Sequence, residues 1–189
     1  MTPVRARVIA AAVELFANKG FDGTSVQEIV QRAQVTKGAM YHYFTSKDDL
    51  LYEIYHGLIS AQLADLDEIL SRRMSPPDTV HAIIANLIGT TAARAEETAV
   101  FVREMHRLDD ERLAAIRADR RRYHETFRAV VAKAQADGAF SAAVSAETVT
   151  LMVFGMVNQL PRWYRPTGPM TSAQLAEEVT AFVLAALRP

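Results

Sequence analysis

Side chains able to do chemistry are unevenly spread along the 189 residues. There is no cysteine, so disulfides, thiolate metal sites and cysteine nucleophiles are excluded. The five histidines, His42, His56, His81, His106 and His124, are scattered, and no His-Glu-x-x-His spacing or phosphate loop accompanies them. An enzyme reading therefore has no constellation to rest on, and neither a metal nor a cofactor is expected. One stretch is different. In "VTKGAMYHYFTSKDDLL", residues 35–51, Lys37 and Lys47 bracket Gly38, Ala39 and three rings, Tyr41, His42 and Tyr43. Ammonium and phenol groups donate hydrogen bonds to anionic oxygens, and a neutral imidazole offers one donor and one acceptor. The chemistry on offer is recognition rather than bond-breaking.

The elements that must position these residues read as helices. Period-2 alternation and hairpin turns are missing, so the chain is expected to be all-α with about nine helices. The first should begin near Pro3, with Thr2 as N-cap and Gly20 as its stop. Ser25 with Glu28, or Thr24 with Gln27, stands at capping-box spacing and starts a short second helix. Gln34 and Val35 form a tight turn, and Thr36 caps a third helix running to about Tyr43 or Phe44. Ser46 caps a fourth, long helix with Asp48 and Asp49 in its first turn. Pro76 and Pro77 interrupt the chain, and further helices are expected to about Ala95, over Thr98–Leu108, Asp110–Ala136, Ser145–Tyr164 and Thr171–Leu187. The resulting division is a short head, 1–46, and a helical body, 47–189.

Bulk properties agree with a folded, water-soluble chain. Half of the residues are apolar, enough for a core. No apolar run approaches the ~18 residues of a membrane span, and the N-terminus is unlike a secretory leader, so a cytoplasmic protein without membrane contact is expected. Net charge is only -1. It is distributed unequally. Residues 1–47 carry Arg5, Arg7, Lys19, Arg32, Lys37 and Lys47 against Glu14, Asp22 and Glu28, a balance of +3. A mildly basic head on an acidic body suits a protein that offers one end to a polyanion.

Helical phase gives the third helix two faces. At about 100° per residue, Met40 and Phe44 share one side and suit a core. Gly38, Ala39 and His42 share the other, with Tyr41 and Tyr43 on its flanks. A helix that only packed inward would not usually give its outer face to glycine, alanine and rings. For a helix that enters a major groove the choice is sensible: small residues let base edges come close, alanine can touch a thymine methyl, and His42 can bond a base. Lys37, Lys47, Tyr41 and Tyr43, and the hydroxyls of Thr24, Ser25 and Thr36, suit phosphates.

These residues carry a resemblance. "AAVELFANKGFDGTSVQEIVQRAQVTKGAMYHYFTSKDDLL" resembles the DNA-binding head of the TetR (tetracycline-repressor) family of one-component bacterial regulators. The family habit is Leu-Phe before Gly-Phe/Tyr, then Thr-Thr/Ser-Val-x-x-Ile. Ala-Gly/Gln-Val-Thr/Ser-x-Gly-x-Leu/Met-Tyr-x-His/Tyr-Phe follows, then x-x-Lys-x-x-Leu. This chain has Tyr43 where histidine is frequent, and it has almost no room for a basic arm ahead of its first helix. The resemblance implies a homodimeric repressor that leaves a palindromic double-stranded DNA operator when a small-molecule inducer binds the body. It also implies that the last two helices pair with their counterparts in a second copy. The apolar residues Leu151, Phe154, Val157, Leu175, Val179, Phe182 and Val183 are the expected interface.

For the inducer, polar residues on otherwise apolar helices are the candidates: Arg103, His106, Asn158, Gln159 and Trp163, with Met105, Met152 and Met156 as adaptable lining. "RWYRPTGPMT", "VREMHRL" and "RRRYHETF" resemble the branch near the fatty-acid-degradation and cholesterol-ring-degradation repressors, whose members sense acyl-CoA thioesters. Arg121 and its neighbours would suit the phosphates of such a ligand. Plain core packing for the methionines and a solvated face for the arginines are the competing readings. The alternative functions are a helical interaction module without DNA binding, or a helical enzyme.

Overall fold

Caps and breakers decide where the helices begin and end. The computed structural model describes residues 2–189. Among the described residues there are ten α-helices, one 3-10 turn and no strand. They are α1 (Pro3–Lys19), α2 (Val26–Arg32), α3 (Lys37–Tyr41), α4 (Lys47–Ser71), α5 (Pro76–Ala93), α6 (Ala95–Glu104), α7 (Asp110–Ala136), α8 (Ala146–Asn158), α9 (Leu160–Trp163) and α10 (Ser172–Ala186), with the 3-10 turn at Met105–Arg107. No helix among the described residues is long and apolar enough to cross a membrane.

Several expected caps form. The Ser25 hydroxyl accepts from the Glu28 amide while Glu28 reaches back to the Ser25 amide, so this pair, not Thr24 with Gln27, makes the capping box of α2. Thr171 and Gln174 do the same for α10. Ser46 Oγ accepts from the Asp49 amide at 3.0 Å. Thr2 is the N-cap of α1, with extended backbone and a carbonyl that accepts from the Ala6 amide at 3.1 Å, although its side chain makes no capping bond. The helix expected over Ser145–Tyr164 is also cut in two at Gln159. Pro161 explains the cut, since it lacks an amide hydrogen and its ring crowds the carbonyl of Val157 four residues earlier. The third helix is shorter than expected, because Tyr43 and Phe44 both turn their amides onto the Met40 carbonyl, at 2.9 and 3.0 Å.

The chain forms two compact units. One holds the residues up to Ile59 together with Ala95–Arg117, so it takes in α6 and the beginnings of α4 and α7 as well as the first three helices. Its core brings Val8, Ala12 and Phe16 of α1 together with Ile29, Met40, Phe44, Leu50 and Leu51, all 0 % exposed. Tyr55 of α4 is equally buried, and its hydroxyl donates to the Val100 carbonyl of α6 at 3.0 Å. Burial, aided by the Glu104 carboxylate, holds this phenol well above its usual range, so it remains a donor.

The other unit holds Ser60–Arg94 and Ala118–Pro189. Its main packing is α5 against α10, with Val80, Ile83, Ile84, Leu87 and Ile88 buried from one and Leu175, Ala176 and Val183 from the other. Tyr123 and Phe127 of α7 set their rings edge-on to Phe154 of α8, at 5.5 and 5.8 Å. Aromatic pairs favour this geometry because the positive edge of one ring meets the negative face of the other.

The turn joining α2 to α3 stores strain. Gln34 has φ 54°, in the left-handed region, which costs a residue bearing a Cβ about 1 kcal/mol or more. The turn closes with the Val35 amide on the Val30 carbonyl at 3.0 Å. Gln34→Gly should therefore raise the unfolding free energy by up to about 1 kcal/mol in urea denaturation, with part of the relief offset by a more flexible unfolded chain.

Candidate nucleic-acid interface

The short helix α3 is held by one cap and two anchors. Thr36 Oγ1 accepts from the Ala39 amide at 3.1 Å. Met40 and Phe44 are 0 % exposed and fix the helix rotationally. Gly38 and His42 are consequently exposed, and Ala39 is half-buried. A side chain at Gly38 would meet only Thr36 Oγ1, at 3.9 Å. Contacts within the chain therefore do not require glycine there.

Around this face, Tyr41 is 49 % exposed and Tyr43 is half-buried, its ring edge-on to His42 at 4.9 Å. Lys37 is exposed and has no ion pair or hydrogen bond among the described residues. Thr36 keeps its hydroxyl hydrogen for an outside acceptor, since its oxygen is the capping acceptor. Thr36, Lys37, Gly38, Ala39, Tyr41, His42 and Tyr43 are thus brought onto one short, solvent-facing segment.

Three of the expected phosphate contacts are placed otherwise. Thr24 is a correction: it is 2 % exposed, and its hydroxyl donates to the Gly20 carbonyl at 2.8 Å. Lys47 is another. Its ammonium donates to the Phe21 carbonyl at 2.7 Å and the Thr24 carbonyl at 3.0 Å, and lies 4.1 Å from the centre of the Phe21 ring. Those carbonyls belong to the α1–α2 loop, and the ring face attracts a cation, so the lysine braces the head. Ser25 is exposed, but its hydroxyl is occupied on both sides by Glu28. The Lys19 ammonium first, then the Ser25 amide and hydroxyl, hold the Glu28 carboxyl down at about 2.

The same loop is gripped from α6. Arg103 donates to the carbonyls of Phe16 and Ala17 at the end of α1, and its Nε donates to Glu104 at 2.8 Å. Glu104, 6 % exposed, accepts from the Phe21 amide at 3.3 Å. Arg107 pairs with Asp22. Two glycines make the loop possible. Gly20 has φ 78° as the C-cap of α1, and a Cβ on Gly23 would lie 2.5 Å from the Lys19 carbonyl oxygen.

The residues expected to bind a ligand are divided between the two compact units. Arg103, Met105 and His106 belong to the first compact unit, where Arg103 serves α1 and His106 is exposed. Arg121, Met152, Met156, Asn158, Gln159 and Trp163 belong to the second. Met156 alone of these six is not exposed; Met152 is 59 % and Trp163 53 % exposed. The expected interface residues also divide. Leu151 and Phe182 are 56 % and 66 % exposed, and Val179 is half-buried. Phe154, Val157, Leu175 and Val183 are a correction: at 3–6 % exposed they belong to the chain's own core. An apolar helix flank turned toward α5 looks the same in sequence as one turned toward a second copy.

Comparison with known proteins adds an independent line. Residues 8–54 match the model described as bacterial regulatory proteins, tetR family. Residues 73–187 match the tetracyclin repressor-like C-terminal domain. The chain is 25% identical over 181 residues to the HTH-type transcriptional repressor KstR2 of Rhodococcus jostii, covering 95% of this chain and 89% of that protein. It resembles the crystal structure of the TetR family transcriptional regulator PfmR from Thermus thermophilus, with TM-score 0.87, 27% identity and 97% and 100% of the two chains covered. The structure of AibR in complex with isovaleryl coenzyme A and operator DNA has the same fold at TM-score 0.82 and 23% identity, covering 96% of this chain and 97% of that one.

The two lysines give opposite predictions. Lys37→Ala should leave thermal stability unchanged and reduce the salt dependence of DNA binding by about one counterion. Lys47→Met should lower stability by about 1–2 kcal/mol, because two loop carbonyls lose a charged donor. Chemical denaturation and salt-titrated fluorescence anisotropy separate the two.

Proposed function

We propose that this chain, which belongs to the tetR family of bacterial regulatory proteins, is a homodimeric cytoplasmic repressor that leaves a palindromic operator when a small molecule binds its body. The observation that carries the reading is the outward face of α3. Gly38 and His42 are exposed beside an unpaired Lys37, while Met40 and Phe44 anchor the opposite side. Small residues permit close approach to base edges, His42 supplies a base-reading donor and acceptor, and Lys37, Thr36, Tyr41 and Tyr43 fix position on phosphates.

Dimerisation is supported by the outer sides of α8 and α10. Leu151 and Phe182 are large, apolar and more than half exposed. Gly155 of α8 and Ala181 and Ala185 of α10 are small and also exposed. A Cβ on Gly155 would touch nothing within 4 Å, so its own subunit gives no reason for glycine in mid-helix, where it costs about 1 kcal/mol. A helix from a second copy, approaching closely, does. Two heads on one two-fold axis would then read a palindrome with the gain in affinity that linkage brings. An effector in the body is supported by the AibR structure, whose ligand is isovaleryl coenzyme A; an acyl-CoA thioester is the class proposed by that likeness.

Nuclease footprinting on the DNA upstream of the chain's own gene tests the reading. A protected palindrome, released at high salt, is expected, and His42→Ala should relax the preference at one position of each half-site by about 1–3 kcal/mol. An unchanged operator preference in His42→Ala removes its base-reading role. Phe182→Asp should give a monomer in sedimentation velocity and lower operator affinity at least about 100-fold.

A further inference from the structure

Helix α2 ends in a closed turn that demands a left-handed residue. The Gln34 amide donates to the Gln31 carbonyl at 3.1 Å, and the Val35 amide to the Val30 carbonyl at 3.0 Å. Such a pair of bonds, spanning three and five residues, ends a helix by holding its first donor in the left-handed region, where glycine is usual. The end of α7 is closed in the same way. Gly138 donates to the Gln135 carbonyl at 3.1 Å and Ala139 to the Ala134 carbonyl at 2.9 Å, and there the left-handed residue, with φ 75°, is glycine. At α2 it is Gln34, with φ 54°.

Within the chain the glutamine side chain has no role that offsets this strain. It is exposed and makes no hydrogen bond or ion pair among the described residues. Asparagine and aspartate can ease a left-handed backbone by bonding locally, and no such bond forms here. Strained backbone that its own surroundings leave uncompensated gathers at functional sites. Strain and exposure do not single out Gln34, since Arg73 at the end of α4 has φ 49° and is also exposed. Position does. Gln34 stands two residues before Thr36, the N-cap of α3, and Thr36, Lys37 and Gly38 are exposed with it.

We infer, on the reading of α3 as a helix that enters a major groove, that Gln34 is a further DNA-positioning residue. Its carboxamide donates to a phosphate oxygen of the duplex at the edge of that groove. In a helix-turn-helix the first helix crosses the sugar-phosphate backbone and the second enters the groove, so the residue that closes the first lies on the backbone side. The main-chain amide of Gln34 is already committed to Gln31, so glycine at this position would offer a phosphate no free donor. The carboxamide brings two N–H donors and no charge. Contacts of this kind fix register without reading sequence, and a neutral donor displaces no counterion.

Gln34→Gly and Gln34→Ala test the inference in the full chain. Each is titrated by fluorescence anisotropy against the footprinted operator duplex and a scrambled duplex of equal composition, and its melting temperature is measured alongside. Both variants lose the carboxamide. Glycine relieves the strained turn and alanine keeps it, so Gln34→Gly should melt at or above the wild type and Gln34→Ala close to it. Each should bind the operator at least roughly tenfold more weakly, the loss expected for a hydrogen bond to a charged group. The scrambled duplex should lose as much, and the slope of log affinity against log salt should stay unchanged. A purely structural role would move affinity and stability together, whereas Gln34→Gly should move them apart. Operator affinity equal to the wild type in both variants overturns the inference. A loss confined to one operator base pair also overturns it, because Gln34 would then read a base. So does a loss in only one of two folded variants, which reflects the turn and not the carboxamide. If Gln34→Ala fails to fold, Gln34→Gly alone decides. A wild type that binds neither duplex sinks the regulator reading and this assignment with it; wild-type binding that survives both substitutions sinks this assignment alone.

Discussion

The burial of Met40 and Phe44 is the constraint on which the functional surface depends. Helix α3 has only five residues, too few to be stable by its own hydrogen bonds. Its rotation is set by two side chains four positions apart that are wholly withdrawn from water, with α3 packed on α1 and α2. Once those are inside, Gly38 and His42 have no alternative to facing out. Loosening either anchor would not remove a contact to DNA directly. It would let the segment turn, and the small residues would no longer be presented together.

A second layer of order holds the loop between α1 and α2. The carbonyls of Phe16 and Ala17 at the end of α1 accept from Arg103, and those of Phe21 and Thr24 from Lys47. Glu104 takes the Phe21 amide from the other direction. Helix α6 is thereby part of the same compact unit as α3, joined also through Tyr55 and Val100. The side chains responsible are charged, yet their work here is to satisfy backbone groups that a tight, glycine-bearing loop leaves exposed. Charge in this head is mostly consumed internally: Lys19 pairs with Glu28, Arg32 with Glu14 and Arg5 with Glu53. The acids Glu14 and Glu28 are already subtracted in the balance of +3, so it is the exposed Arg7 and Lys37, which have no ion pair among the described residues, that a polyanion meets.

In the body, the contrast between inner and outer faces separates self-packing from association. Helices α5 and α10 bury their large aliphatics against each other, while α10 also sends Phe182 outward. Helix α8 similarly commits Val153, Phe154 and Val157 inward and leaves Leu151 and Met152 in water. Apolar surface of this kind is costly to leave exposed and is sensible where a second copy covers it. Asn86 Oδ1 and the Tyr123 hydroxyl, buried without a hydrogen-bond partner among the described residues, are the complementary irregularity, polar groups inside where apolar ones would pack without penalty.

The sequence by itself determined the class of structure, most helix limits and the two faces of α3. Those properties are local: caps, breakers and a 3.6-residue period act over a few positions, as at Ser25–Glu28, Thr36 and Gly20. It also carried the family, because the head motif is long and contiguous. What lay beyond it were the partners of long side chains. Lys47 and Thr24 have the residue types of phosphate ligands, but the first meets carbonyls 26 and 23 residues away and the second is buried. Arg103 has the type of a ligand-binding guanidinium, and its acceptors lie 86 and 87 residues back along the chain. Nothing in a period or a spacing encodes such pairings. Only the tertiary structure decided them, because a flexible charged side chain goes to whichever unsatisfied group the packing of distant helices brings within reach.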